Sequence, residues 1–206
     1  MLDNSIDLTS IRRILVVKLR HQGDVLLSSP VFRTLKNHLP DVEVDALIYH
    51  DTREMLTEHP SVSQVHTIDR EWKHMGVISQ AGAEWKLIAA LRRRRYDMVL
   101  HLTEHPRGAW LTRLLSPAIS VAPRATGMSE GRDSGWWKAS FTHTFPLPST
   151  TFRHTVEQNL DALRRLGIHP TADEKKLVLI PGTAAEAKVD QLMAAHGVSA
   201  KHFIHM

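Results

Sequence analysis

Apolar positions along the chain switch repeatedly between a strand-like and a helix-like period. Residues 12–19 (RRILVVKL) form a short, nearly continuous β-branched run, which predicts a strand buried on both faces. After a polar loop at 20–24, residues 25–39 place Val25, Leu26, Val31, Leu35 and Leu39 near a helical repeat. Pro30 must lie in the first turn of that helix or kink it. Residues 42–49 alternate like a strand, 51–58 read as a short helix and 62–68 as another strand. An amphipathic helix is predicted over 80–95, a strand over 97–102, a helix over 107–115 and a strand over 118–122. Residues 123–140 hold three glycines and no apolar period, which predicts a long loop. A helix over 152–166 stops at Gly167, a short strand is expected at 177–180, and a helix over 184–196 ends at Gly197.

Strands alternating with helices across short connections predict an α/β protein with a parallel sheet and helices on both faces. Ligands of such sheets bind outside the carboxyl ends of the strands, so the loops after each strand are where chemistry is expected. The last five residues, HFIHM, are apolar and strand-like and simply stop. A new α/β unit begins there, and the expectation is a truncated chain.

Composition narrows the function classes. The 206 residues contain no cysteine, which excludes disulfide scaffolds, cysteine-ligated metals and thiol catalysis. No apolar run approaches the roughly 18–20 residues of a membrane span, and the first fifteen residues carry acids without the apolar core of a secretory signal. The expectation is a soluble, cytoplasmic protein. The net charge of +4 is concentrated: residues 92–165 hold 12 basic and 6 acidic side chains, while residues 1–91 are net acidic. That middle third suits an anionic partner (phosphate, nucleic acid or a membrane surface), or it serves only solubility.

The loop KLRHQGD, Lys18–Asp24, joins the first strand to the first helix. Gly23 lacks a Cβ, so backbone there can approach a ligand closely or adopt a positive φ. Asp24 stands at the helix entrance, where a carboxylate either caps amides or points into the cleft. Lys18 and Arg20 bring positive charge to the same crevice. The loop contains neither a GxGxxG nor a Walker A spacing.

The segment ILVVKLRHQGDVLLSSPVFRTLKNHLP resembles the amino-terminal signature of the bacterial heptosyltransferases, glycosyltransferase family nine. Further matches are LRRRRYDMVLHL, the RGAW turn after that strand, GWWKASFTHTFPLP and RHTVEQNLDALRRLGI. The resemblance runs from about Arg12 to the end of the chain. It implies a GT-B-type fold, with a Rossmann-like acceptor-binding domain over residues 1–148, a connecting helix over 149–170, and the beginning of a nucleotide-sugar-binding domain over 171–206. It places the general base on Asp24 and the donor as ADP-heptose, whose anomeric carbon would be attacked with inversion. The acceptor would be a heptose of the lipopolysaccharide inner core, reached by peripheral contact with the anionic inner membrane. Gln22 and Gly23 would shape the loop, while Lys18, Arg20, Arg107 and Arg124 would hold the anionic acceptor. No acidic pair of the DxD type is present, and metal independence is expected. Because the nucleotide-binding half is represented only by its opening, the isolated chain is expected to hold acceptor better than ADP-heptose and to transfer little. The alternative is a fragment that retains acceptor binding alone.

Other features have plainer readings. Arg92–Arg95 complement the carboxyl end of a helix as readily as they would bind a phosphate backbone, and no nucleic-acid recognition motif accompanies them. Nucleic acid is therefore not expected as a partner. Arg113 is either a phosphate contact or solvated surface. HLTEH at 101–105 matches the H-x-x-E-H zinc pattern, but Pro106 and the preceding strand deny it the required helix. Trp136 and Trp137 suit a membrane interface, a sugar ring or burial. His154 faces a cleft or caps its helix.

Overall fold

The structure, a computed structural model, describes residues 6–124, 135–146 and 153–198. Six strands, β1 (Arg13–Lys18), β2 (Glu43–Tyr49), β3 (Gln64–Ile68), β4 (Met98–His101), β5 (Ile119–Arg124) and β6 (His143–Pro146), form one sheet. Every pairing is parallel and the order is β3-β2-β1-β4-β5-β6. The winding reverses between β1 and β4, which opens a crevice at their carboxyl ends.

Period-two alternation sends each strand's side chains to two separate cores. Ile14, Val16, Val44, Ala46, Ile48 and Leu100 pack against α2 (Ser29–His38) and α6 (Thr155–Arg164) through Val31, Phe32, Leu35, Leu160 and Leu163. Leu15, Val17, Leu47 and Val99 face α3 (Val77–Arg94) and α4 (Pro106–Leu115) through Leu87, Leu91 and Leu111. A smaller cluster of Ala109, Ala122, Trp137 and Phe141 seats the short α5 (Gly135–Lys138) beside α4. Among its 18 residues α3 buries only Leu87 and Leu91, worth roughly 1.5–3 kcal/mol each, so most of that helix faces outward.

The helix predicted over 25–39 is broken. A short α1 (Gln22–Leu26) precedes α2, which starts at Ser29 with Pro30 in its first turn. Proline has no N–H to give the Leu26 carbonyl, so the ladder stops there. The Ser28 hydroxyl donates to the Val25 carbonyl at 2.6 Å, and Asn159 Nδ2 on α6 donates to the Leu27 carbonyl at 2.9 Å. The Val25 carbonyl also takes the Ser28 N–H at 3.0 Å, and Asn159 supplies the Leu27 carbonyl with a donor from another helix.

Other expectations are corrected in detail. Residues 177–180 form no strand: among the described residues no neighbour pairs with them, and the Val178 N–H donates instead to Ser29 Oγ at 3.0 Å. The segment over 51–58 is a 3-10 turn at His50–Met55, and a second such turn, Arg70–His74, was not predicted. Nor was β6, whose single buried residue is Phe145. The expected loop over 123–140 carries the end of β5 and α5, with 125–134 outside the described residues; the terminal HFIHM lies outside them too. The last helix, α7 (Thr183–Ala195), buries none of its residues. Among the described residues no helix is long and apolar enough to cross a membrane.

Candidate functional site

The crevice between β1 and β4 gathers most of the residues singled out in the sequence. β1 ends at Lys18, and the chain turns through Leu19–His21 into α1, so Gln22, Gly23 and Asp24 all sit in its first turn. The residue preceding α1 is His21, which makes no side-chain cap. Asp24 is therefore not a cap. Its partly exposed carboxylate accepts no hydrogen bond among the described residues. It lies near enough to Lys18 for its charge to favour that ammonium.

Gly23 is exposed, has no positive φ, and a Cβ there would meet nothing within 4 Å. Of the two possibilities raised for this glycine, a positive φ is not adopted, and the position offers open space beside Asp24. Arg20 is exposed, and its carbonyl accepts from Arg70 Nη2 at 3.2 Å. Gln22 Nε2 donates to the Asp51 carbonyl at 3.1 Å, which ties the loop to the turn after β2. Arg70 also lies 4.1 Å over the Tyr49 ring and 3.4 Å from the Asp51 carboxylate. The Arg70–Asp51–Tyr49 group buttresses the loop from the β2–β3 side, a role that nothing in their sequence spacing announced.

Lys18 departs from the expectation of a direct hold on an anion. It is 5% exposed, and its ammonium donates to the Leu102 carbonyl at 3.2 Å and to Asn159 Oδ1 at 2.9 Å. Burial pulls its pKa down to about 8, against the attraction of Asp24 and with the repulsion of Arg20. It is the floor of the crevice rather than its lining. Beside it the Leu19 N–H donates to Thr103 Oγ1 at 3.2 Å, joining the two strand ends. Asn159, which holds both Lys18 and the α1–α2 break, was invisible in the sequence. It stands 141 positions away from Lys18, inside the matched segment RHTVEQNLDALRRLGI, where nothing local announces either bond.

His101 ends β4 fully buried against Trp137 and Phe141, with ring centroids 5.8 and 5.7 Å away. Burial, aided by the neighbouring His105 and Lys18, drives its pKa down to about 3, so the ring is neutral. Its Nδ1 accepts the Thr103 N–H at 3.4 Å, which leaves the proton on Nε2. That nitrogen sits against Gly108, where a Cβ would come within 1.4 Å of it. The neighbouring His105 precedes α4 and its Nδ1 accepts the Arg107 N–H at 3.2 Å. The two histidines of HLTEH therefore lie on different elements, without the helical spacing of a zinc pair.

Arg107 is also committed. Its guanidinium pairs with Glu84 on α3 and lies 5.6 Å from the Trp72 ring centre. Arg124 closes β5, exposed at the same carboxyl edge of the sheet but two strands from β1. Arg113 lies 5.7 Å from the Trp136 ring centre, away from the crevice on α4. Trp137 is buried and donates to the Pro123 carbonyl at 3.2 Å. His154 caps α6 through Val156 N–H at 3.3 Å.

What the crevice offers, then, is an open carboxylate above a buried cation, with Arg20 beside it and Arg124 farther along the same edge of the sheet. Such a carboxylate can take a proton from a hydroxyl placed before it.

No family model matches the chain. A lipopolysaccharide heptosyltransferase 3 of Escherichia coli K12 is 36% identical over 150 residues, which are 73% of this chain and 41% of that protein. The chain thus spans about two fifths of the length of this curated relative. Among solved structures, a family-nine glycosyl transferase of Veillonella parvula aligns with a TM-score of 0.76 at 18% identity, over 96% of this chain and 52% of its own. The Escherichia coli heptosyltransferase WaaC with ADP-2-deoxy-2-fluoro heptose aligns at 0.65 and 19%, over 78% of this chain and 50% of its own. At those identities the likeness is one of fold.

Proposed function

This chain belongs, over the 150 residues it shares with them, to the bacterial lipopolysaccharide heptosyltransferases, and from that premise we propose that it carries the acceptor side of a heptosyl transfer with Asp24 as general base. The donor would be ADP-heptose and the acceptor a heptose of the lipopolysaccharide inner core, met at the cytoplasmic face of the inner membrane. The acceptor oxygen bonds to the anomeric carbon from the face opposite ADP. The bond from that carbon to the ADP oxygen breaks, ADP leaves with the electron pair, and the hydroxyl proton passes to Asp24. The configuration inverts. Arg20 and Arg124 would hold anionic groups of the acceptor, Gln22 would anchor the first turn of α1 on Asp51 while Gly23 leaves space beside Asp24, and Lys18 would position Asp24 from below. Arg107 acts through Glu84 in setting the α3–α4 edge. Residues 171–206 would open the nucleotide-sugar half. In this reading positive side chains offset the diphosphate charge, and transfer persists in a chelator.

The single supporting observation is a carboxylate at the strand-order reversal that is accessible, unpartnered among the described residues and adjacent to a buried ammonium. Because the chain by itself is expected to transfer little, the test joins it to the carboxyl-terminal half of the lipopolysaccharide heptosyltransferase 3 it resembles and follows heptose transfer from ADP-heptose to core oligosaccharide by mass spectrometry. Asp24→Asn is expected to lower the rate about 10²–10⁴-fold; an undiminished rate would falsify the assignment. A second reading, acceptor binding without chemistry, is favoured by the bare surface of α7. It predicts calorimetric binding of core oligosaccharide, no binding of ADP and no turnover.

A further inference from the structure

The outer surface formed by α3 and α4 is apolar and basic at once. Val77 and Ile78 at the start of α3 are 83% and 90% exposed, and Trp85 two turns on is 67% exposed. Ile78 and Trp85 are seven residues apart, so they share one stripe, directed away from the buried Leu87 and Leu91. On the adjacent α4, Trp110 is 58% exposed and packs against Trp136, centroids 5.2 Å apart. Arg113 flanks that pair, and Arg92 joins the two helices by donating twice to the Leu114 carbonyl, at 3.2 and 3.1 Å.

Charge decides what such a surface fits. Residues 77–115 hold seven basic and three acidic side chains, and of the basic ones Arg94 is neutralised by Asp45 and Glu43. Glu84 among the acids is paired with Arg107, and Asp97 accepts the Arg12 and Arg13 N–H groups. Lys86 and Arg93 are exposed beside the apolar stripe. A second copy docking by the same face would set these cations against each other. Bare aliphatic side chains at the tip of α3 suit hydrocarbon, and tryptophans flanked by arginine suit the boundary between headgroups and acyl chains. α3 begins after β3, at the carboxyl edge of the sheet that holds Asp24, so the surface borders the crevice.

We infer that the outer face of α3 and α4 docks on an anionic lipid bilayer, with Ile78, Trp85 and Trp110 entering the interface and Lys86, Arg93 and Arg113 contacting headgroup phosphates. The inference deepens the reading above by assigning the membrane contact to a surface; its test needs no sugar.

Co-sedimentation of the chain with vesicles of phosphatidylethanolamine and phosphatidylglycerol, against pure phosphatidylcholine, provides that test. Binding is expected to the anionic vesicles only and to weaken as salt rises. The pair Ile78→Ser and Trp85→Ser should lose about tenfold or more in binding. Lys86→Ala and Arg93→Ala should each lose about fivefold. All four positions are exposed, so circular dichroism should stay unchanged. Equal binding to both vesicle types, no binding to either, or variants that bind normally would each overturn the inference. So would a dimer in sedimentation velocity that these substitutions dissociate, since the face would then belong to a second copy. Docking that survives while Asp24→Asn leaves transfer undiminished would leave this surface standing while the proposed chemistry fell.

Discussion

Asp45 and Asp24 stand at opposite ends of one sheet and are treated in opposite ways. Asp45, wholly buried near the amino ends of the strands, accepts Arg94 Nε at 2.8 Å and Tyr96 Oη at 2.6 Å. Arg94 reaches on to Glu43 at 2.5 Å, and His66 Nε2 lies 2.9 Å from Tyr96 Oη. Burial would raise the Asp45 pKa, yet His66 Nε2 at 3.6 Å and the hydrogen bonds from Arg94 and Tyr96 outweigh it and hold the group below the usual carboxylate value. Asp24, at the carboxyl ends, has no such partners among the described residues and remains partly open to water. Charge at one edge is neutralised to clamp α3 onto β2. Charge at the other is left available for a ligand.

The sharpest way to break this contrast is at Asp45. Asp45→Ala leaves Arg94 and Tyr96 without their shared acceptor and should lower stability by about 3–5 kcal/mol, read from urea midpoints. Gly108→Ala comes next, because the fully buried His101 ring cannot give way; a loss of about 1–3 kcal/mol is expected by the same measurement. Lys18 gives a pH signature. Its folded pKa of about 8 lies below the reference value of 10.5, so the unfolded chain holds the proton more tightly between those values. Stability should therefore rise with pH across that window, by at most about 1.4 kcal/mol per pH unit, and Lys18→Met should remove the slope. The smallest effect belongs to Asp24→Asn, whose stability should change by no more than about 0.5 kcal/mol. A large destabilisation there would mean that the two edges are alike and that Asp24 is structural.

The strands β1, β2 and β4 were legible because their pattern is local: a nearly continuous apolar run in β1, an alternation in β2 and a short apolar run in β4. So was the approach to the site, since Pro30 announces a helix break and Gly23–Asp24 precede it. What escaped was non-local or weakly patterned. His143–Pro146 buries only Phe145, too little for a period to show. Residues 177–180 have strand composition, but a ladder needs a partner, and none of the described residues supplies one. The burial of Lys18 depends on Leu102 and Asn159, and the engagement of Arg107 depends on Glu84 and Trp72. Neither environment can be read from the residues flanking those cations. For the same reason Asp24 read as either a cap or an open carboxylate until the position of His21 decided it.

Asn159 also bears on how the polypeptide emerges from the ribosome. Its amide carries both the Lys18 ammonium and the Leu27 carbonyl, so the first loop to be translated is secured by a helix translated some 130 residues later. At roughly 5–20 residues per second, that loop waits on the order of ten seconds for its anchor. Until then β1 and β2 can pair and Asp51 and Arg70 can brace the segment around Asp24 from one side, but Lys18 and the α1–α2 break lack their shared amide, and the nascent chain acquires its sheet well before it acquires a competent pocket.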